Sequence, residues 1–298
     1  MKRKHNRLES NRLGYLMTIP ASILILVVSI YPLFQGILLG FQNYNLQKPK
    51  KRAFNGFDNY IKLFTEDTEF HSAILYTFIY TFATVAIAYL LGLFLAMLLN
   101  RHIKGRGVFR TLALLPWIVA PSVASTNWIW LMNDQVGWIN KFLKSIGLID
   151  NSILFLADEK FARVTVIFTD MWRDYPFMMI VILAGLQSIP KDLYESAYID
   201  GAGFWKSFRY ITMPMIKGVS AISTILMFIW VFNHFDNIYL ITNGGPNNAT
   251  FTLPILTYYT AFYRSNIGYA SSMASMMLIV LLVVALIYLR VMKTNNEE

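Results

Sequence analysis

The sequence predicts an all-α integral membrane protein with six transmembrane helices, and three observations carry that prediction. Hydrophobic residues make up 56% of the 298 and charged residues only 14%, against about 25% charged in an ordinary soluble domain. Five runs contain no Asp, Glu, Lys or Arg: residues 13–47, 70–100, 111–133, 218–235 and 265–289. Each approaches or exceeds the roughly 20 residues that a helix needs to cross about 30 Å of hydrocarbon. The basic residues behind the net charge of +9 fall between these runs rather than along one helix face, a pattern of membrane topology and not of nucleic-acid binding.

The expected spans are, in order, about 14–41, 71–99, 108–131, 162–186, 215–241 and 268–291, within a single transmembrane domain over 1–298. The first follows a basic start, but its apolar run far exceeds the ~7–15 residues of a signal peptide and no small-x-small site closes it. It reads as a retained anchor. In the first span Gly36 and Gly40 form a GxxxG pair, and in the second Ala88, Gly92 and Ala96 place small residues at every fourth position. Such faces let helices approach closely, here as ordinary packing within one bundle. The fourth span carries Asp170, Arg173 and Asp174, then runs uncharged from Tyr175 to Pro190. Pairing of Asp170 with Arg173, one turn apart, lowers the cost of that half. The uncharged stretch 237–263 is broken by Asn243-Gly244-Gly245-Pro246-Asn247-Asn248, a run of turn residues, and reads as an external loop.

Six spans put both termini on one side. That side collects fifteen basic residues (within 2–12, 101–110, 191–217 and 290–293), the other ten (within 48–62 and 141–163, with Arg264). Positive residues favour the cytoplasm, so both termini and the loop at about 188–214 are expected there, in the plasma membrane of a bacterial cell.

Several chemistries are excluded. Without cysteine there is no disulfide, thiolate metal site or cysteine nucleophile. Four histidines lack paired spacing, so no metal site is expected. Gly105-Arg106-Gly107 and Gly201-Ala202-Gly203 are the Gly-x-Gly pieces, and neither continues into a phosphate loop ending in Gly-Lys-Ser/Thr. They read as turns. Energy for any transport must come from a partner or an ion gradient.

The polar loop between the fourth and fifth spans is the most informative stretch. Pro190 suits a first helical turn, and Leu193, Tyr194, Ala197 and Tyr198 give four-residue spacings of an amphipathic helix. Gly201 then supplies the left-handed backbone that ends it. Phe204, Trp205, Phe208 and Ile211 form a second apolar stripe before Pro214 opens the fifth span. The pattern predicts a helix-turn-helix knob.

Within that knob, Glu195, Ser196, Ala197, Asp200, Gly201, Ile211 and Pro214 together resemble the EAA loop of ABC importer permeases. Leu186-Gln187-Ser188-Ile189-Pro190 and Asp200-Gly201-Ala202 are similar to the carbohydrate-uptake branch, the maltose-permease-like inner membrane components of binding-protein-dependent transport systems. Residues 41–46, Gly56-Phe57-Asp58-Asn59-Tyr60, Phe235-Asp236-Asn237-Ile238-Tyr239 and Thr242 with Gly244-Gly245-Pro246 extend the likeness over most of the chain. Ser196 stands where alanine is usual and Met213 where leucine is usual.

The resemblance implies a type I ABC importer permease fold, no catalysis by this chain, and a coupling helix seated in a groove of a cytoplasmic ATPase, with Glu195 meeting a basic residue there. It also implies a second homologous permease subunit, an ATPase dimer that holds ATP and Mg, an extracellular or periplasmic solute-binding protein, and a sugar substrate, a di- or oligosaccharide. No cofactor of the chain's own is implied. Residues 42–69 and 132–160 would offer the surface for the binding protein.

For substrate contact the fifth span stands out: Trp230, Asn233, Asp236, Asn237 and Tyr239, with His234 and Phe235, mix amide, carboxylate and aromatic groups. Such a mixture can bind sugar hydroxyls and ring faces, or it can mark the outer membrane interface. Similar permeases carry polyol phosphates such as glycerol 3-phosphate. An ion-coupled secondary transporter would instead show inverted repeats and unwound acidic helices at the midplane, and a membrane-embedded enzyme would show a catalytic constellation.

Overall fold

The computed structural model describes residues 16–101 and 104–294, with side chains to Arg290. The basic cluster at 2–12 and the first residues of the expected first span lie outside the described residues, as does the side chain of Lys293. The described chain is mostly helical. Helix α1 (Leu16–Gly40) contains a π turn at Leu26–Ile30, and a two-strand hairpin follows, β1 (Gln42–Asn43) antiparallel to β2 (Ala53–Phe54). Next come α2 (Asp58–Thr65), α3 (Thr68–Asn100), α4 (Arg106–Ile118), α5 (Pro121–Leu131), α6 (Trp138–Ser145), α7 (Glu159–Gln187) and α8 (Lys191–Ile199). Helix α9 (Phe204–Phe232) carries a π turn at Phe208–Thr212, and α10 (Asp236–Thr242), α11 (Leu253–Tyr258) and α12 (Ile267–Thr294) complete the order.

Helices α1, α3, α9 and α12 are each long and apolar enough to cross a membrane. The pairs α4 with α5 and α7 with α8 meet the same test only as bent units, giving up to six spans. The predicted third span is thus two helices meeting at 94°. Its cause is local. Pro121 starts α5 in a first-turn position, and proline disfavours helical backbone at the residue before it; here Ala120 is extended, with ψ of 137°.

Two further departures concern the second half. The expected loop at 237–263 does turn at Asn243, whose φ is 51°, yet on either side it folds as α10 and α11. Their Ile238, Leu253, Ile255 and Leu256 are fully buried, so apolar burial recruits segments that the turn residues had marked as loop. The second knob helix and the fifth span are one helix, because the π turn absorbs Pro214: the Met213 N–H bonds to Phe208 O, five residues back. That helix stops at Phe232, short of the expected 241.

The described chain forms two compact units. One comprises residues up to 67 together with 257–280. In it the hairpin and α2 are locked by Asn59, whose side-chain amide donates to Gly40 O and Gln42 O at 2.9 and 3.0 Å. Phe41 packs on Phe57 and Tyr60 with ring centroids 5.2 and 5.0 Å apart. The Tyr269 hydroxyl donates to Asp67 at 2.6 Å.

The other unit, residues 68–256 with 281 onward, is built on α7. Asp158 caps that helix, its carboxylate accepting from the N–H groups of Lys160 and Phe161 at 2.9 and 3.0 Å. Helices α3, α4, α9 and α10 all pack against it. Helix α3 comes very close to it at Gly92. A Cβ there would lie 2.6 Å from Met178 Cβ and 2.9 Å from Met179 N, and the flanking Ala88 and Ala96 are fully buried. The four-residue repeat is therefore the packing seam between α3 and α7. Gly36 has open space around it.

Gly92→Ala should destabilise the purified protein by about 1–3 kcal/mol, the usual cost of overpacking. Gly36→Ala should stay within about 0.5 kcal/mol. Thermal unfolding in detergent distinguishes the two.

Candidate functional site

Two features of the second unit invite a functional reading. The first is the knob formed by α8 and the start of α9. Helix α7 breaks at Ser188–Pro190 and the chain bends by 69° into α8. Helix α8 then closes at Gly201, where φ is +75°. The Ala202 N–H bonds to Ala197 O at 2.8 Å and the Gly201 N–H to Tyr198 O at 3.0 Å, the paired bonds that finish a helix through a left-handed residue. A Cβ at Gly201 would touch nothing within 4 Å, so glycine is required there by backbone conformation and not by space.

None of the side chains of α8 is buried. Glu195, Ser196, Asp200 and Pro214 are exposed, and Ala197 and Ile211 are half-buried. Tyr198, Ile199 and Trp205 are 82%, 84% and 75% exposed. A surface that shows large apolar groups beside Glu195 and Asp200 has the composition of an interface.

The second feature is a charged cluster inside the bundle. Asp170 is fully buried on α7. Arg173 Nη2 lies 3.2 Å from Asp170 Oδ1, at ion-pair distance though not aligned as a hydrogen bond, and Arg173 Nε lies 3.4 Å from Asp174 Oδ1. From the break between α9 and α10, His234 Nδ1 approaches Asp170 Oδ2 at 2.9 Å. With Nδ1 donating there, Nε2 is left to accept from Arg173 Nη2 at 3.2 Å. Ligand atoms of Asp170, Asp174 and His234 lie within 4.8 Å of one another, a grouping that can hold a metal ion, but the Arg173 guanidinium already stands among them as the local cation. One turn further on, the Asn237 side chain is buried and donates to Thr169 Oγ1 at 2.9 Å. Both sides of the helix break are thereby tied to α7.

Residues 88–294 match the model of the binding-protein-dependent transport system inner membrane component family. The chain belongs to that family. The permease is 33% identical to the trehalose/maltose transport system permease protein MalF of Thermococcus litoralis over 96% of its own length and 95% of that protein. It is 31% identical to the trehalose transport system permease protein SugA of Mycobacterium tuberculosis, over 97% and 91% of the two chains. Its fold superposes with a TM-score of 0.84, at 23% identity, on a chain of a bacterial ABC transporter involved in the import of the acidic polysaccharide alginate, covering 98% of this chain and 99% of that one. The permease is a multi-pass membrane subunit of a transport family, with the type I importer fold.

The matched region contains the whole knob. The knob residues named from the sequence lie together on α8, its closing turn and the first turns of α9. The fifth-span residues differ in exposure: Trp230, Asn233 and Asp236 are exposed, Tyr239 is half-buried, and Asn237 is enclosed. The Asp170–Arg173 pair was readable from its spacing along one helix. The contacts of His234 with Asp170 and of Asn237 with Thr169 span 64 and 68 residues, and no local pattern signals them.

Gly201→Val should loosen the turn that closes α8, because a branched residue in left-handed backbone costs at least about 1–2 kcal/mol, and hydrogen exchange of the amides around that turn should quicken. Gly201→Asn, which tolerates that conformation, should keep most of the wild-type protection. Arg173→Met takes the guanidinium away from the buried Asp170 and the half-buried Asp174, leaving Asp170 its His234 contact, and should cost about 3–5 kcal/mol. Adding Asp170→Asn and Asp174→Asn to it should recover most of the loss, read as folded protein recovered in detergent.

Proposed function

We propose that the permease is half of the translocation pathway of an ATP-driven, binding-protein-dependent importer for a sugar, a di- or oligosaccharide, and that residues 1–298 form a single permease domain. The observation that carries this reading is the knob, an exposed, glycine-closed pair of helical segments with no buried side chain on α8, joined directly to two long helices of the bundle. A rigid lever of that kind can turn a movement made by another protein into a displacement within the membrane. Glu195, Ser196, Ala197, Asp200, Gly201, Ile211 and Pro214 are the coupling residues on this view, seated against a cytoplasmic ATPase dimer that holds ATP and Mg. Both termini then lie in the cytoplasm of a bacterial cell.

The sugar assignment draws on the trehalose/maltose and trehalose systems named for the relatives that align over nearly the whole chain. A second permease subunit completes the pathway, and a solute-binding protein delivers the substrate from outside. Trp230, Asn233, Asp236, Asn237 and Tyr239 are the residues proposed to lie along the sugar's path, with Asn237 fixing the helix break from within.

Affinity purification of the permease should bring down one ATPase and one second permease, and substrate-loaded binding protein should accelerate ATP hydrolysis by the complex. Sugar uptake that persists after deletion of the ATPase would contradict the proposal.

A further inference from the structure

The knob has almost nothing inside it. Helix α8 and the first turn of α9 bury no side chain, and the π turn buries Thr212 alone. A lever without a core is stiff only if a few specific contacts hold it, since packing provides most of the rigidity of ordinary interiors. One such contact crosses it: the Tyr194 hydroxyl on α8 meets Thr212 Oγ1 at 2.9 Å, and Thr212 Oγ1 in turn donates to Ser207 O at 3.4 Å. A second contact ties the knob to the bundle. Arg101, just past the end of α3, places its guanidinium 5.7 Å from the centre of the Phe204 ring.

Around these contacts lies open volume. Two cavities of about 310 and 280 Å³ are both lined by Met97, Tyr194, Phe204 and Thr212. The hydroxyl pair therefore bridges a space that side chains do not fill. It also joins the two limbs of the knob where each leaves for a different long helix, α8 toward α7 and Thr212 within α9.

We infer that Tyr194 and Thr212 are positioning residues that brace the knob, so that a push on its exposed tip moves α7 and α9 together and does not fold the knob into the space behind it. This deepens the coupling role proposed above and rests on it. Tyr194 and Thr212 would touch neither sugar nor ATPase, and their effect would pass wholly through the geometry of α8 and α9.

Hydrogen exchange on the purified permease tests the brace without reference to transport. Tyr194→Phe and Thr212→Val each remove one hydroxyl with little change of shape, and each should speed exchange of the amides of residues 191–212 by about three- to tenfold, the worth of one hydrogen bond. Amides of α3 and α7 should keep their rates, and Thr212→Ser should behave as wild type. The double variant should exchange no faster than Thr212→Val, which already gives up the shared bond together with the Ser207 contact. Unchanged exchange in the singles, or additive effects in the double, overturns the brace.

Its coupling role is read in the assembled transporter in proteoliposomes, with trehalose or maltose as probe. The two single variants should move less sugar per ATP hydrolysed by a similar factor, and Thr212→Ser should restore it. Full transport per ATP from variants whose knob has loosened overturns the coupling role alone. A wild-type assembly that moves sugar without hydrolysing ATP overturns the proposed function with it.

Discussion

At Gly92 the backbone of α3 comes so close to α7 that even a methyl group would meet Met178 and Met179. In lipid, helices gain little from hiding apolar surface from one another, so close van der Waals contact between small residues has to bind them. This seam fixes α7, and α7 organises the rest of its unit. Helices α4, α9 and α10 pack on it. Its middle turns carry the carboxylates and guanidinium that reach His234, and its far end bends into the knob. Next to Asp170 it presents Thr169 to Asn237, so the same helix holds both ends of the break in the fifth span.

Burial of charge along α7 is costly unless every group finds a partner. Here two aspartates, one arginine and a histidine pair with one another within a few ångströms, although Asp170 Oδ1 accepts no aligned hydrogen bond. Clusters of this kind add little net stability but are severe when broken, which suits a role in holding one arrangement of the helix break rather than in strengthening the fold. The knob follows the opposite design. It has little core, a turn set by backbone conformation at Gly201, and apolar groups turned outward. On the proposed reading such a surface is completed by a partner subunit.

Much of this was legible in the sequence because it depends on local rules. Long uncharged runs marked the membrane helices, the spacing of Ala88, Gly92 and Ala96 marked the seam, and Gly201 marked the turn of the knob. Pro121 and Pro214 show where local rules divide. Proline at 121 breaks a helix because extended backbone at Ala120 lets the chain turn, whereas proline at 214 is carried through a π turn within one continuous helix. The flanks of the 243–248 turn looked like loop because no periodic pattern revealed that Ile238, Leu253 and Ile255 would be buried. Partners more than sixty residues apart, such as His234 with Asp170, depend on the packing of whole helices and leave no mark on spacing.

On the proposed reading, energy from outside the chain enters through the exposed tip of the knob. The permease contains no cysteine, so a single Tyr198→Cys, at a residue 82% exposed in the wild type, can carry a photoactivatable maleimide in membranes that contain the assembled transporter. An adduct is expected between this position and the ATPase subunit, and none from the same probe on Asn247→Cys in the turn that precedes α11. A Tyr198→Cys probe that never reaches the ATPase, or an Asn247→Cys probe that does, would contradict it.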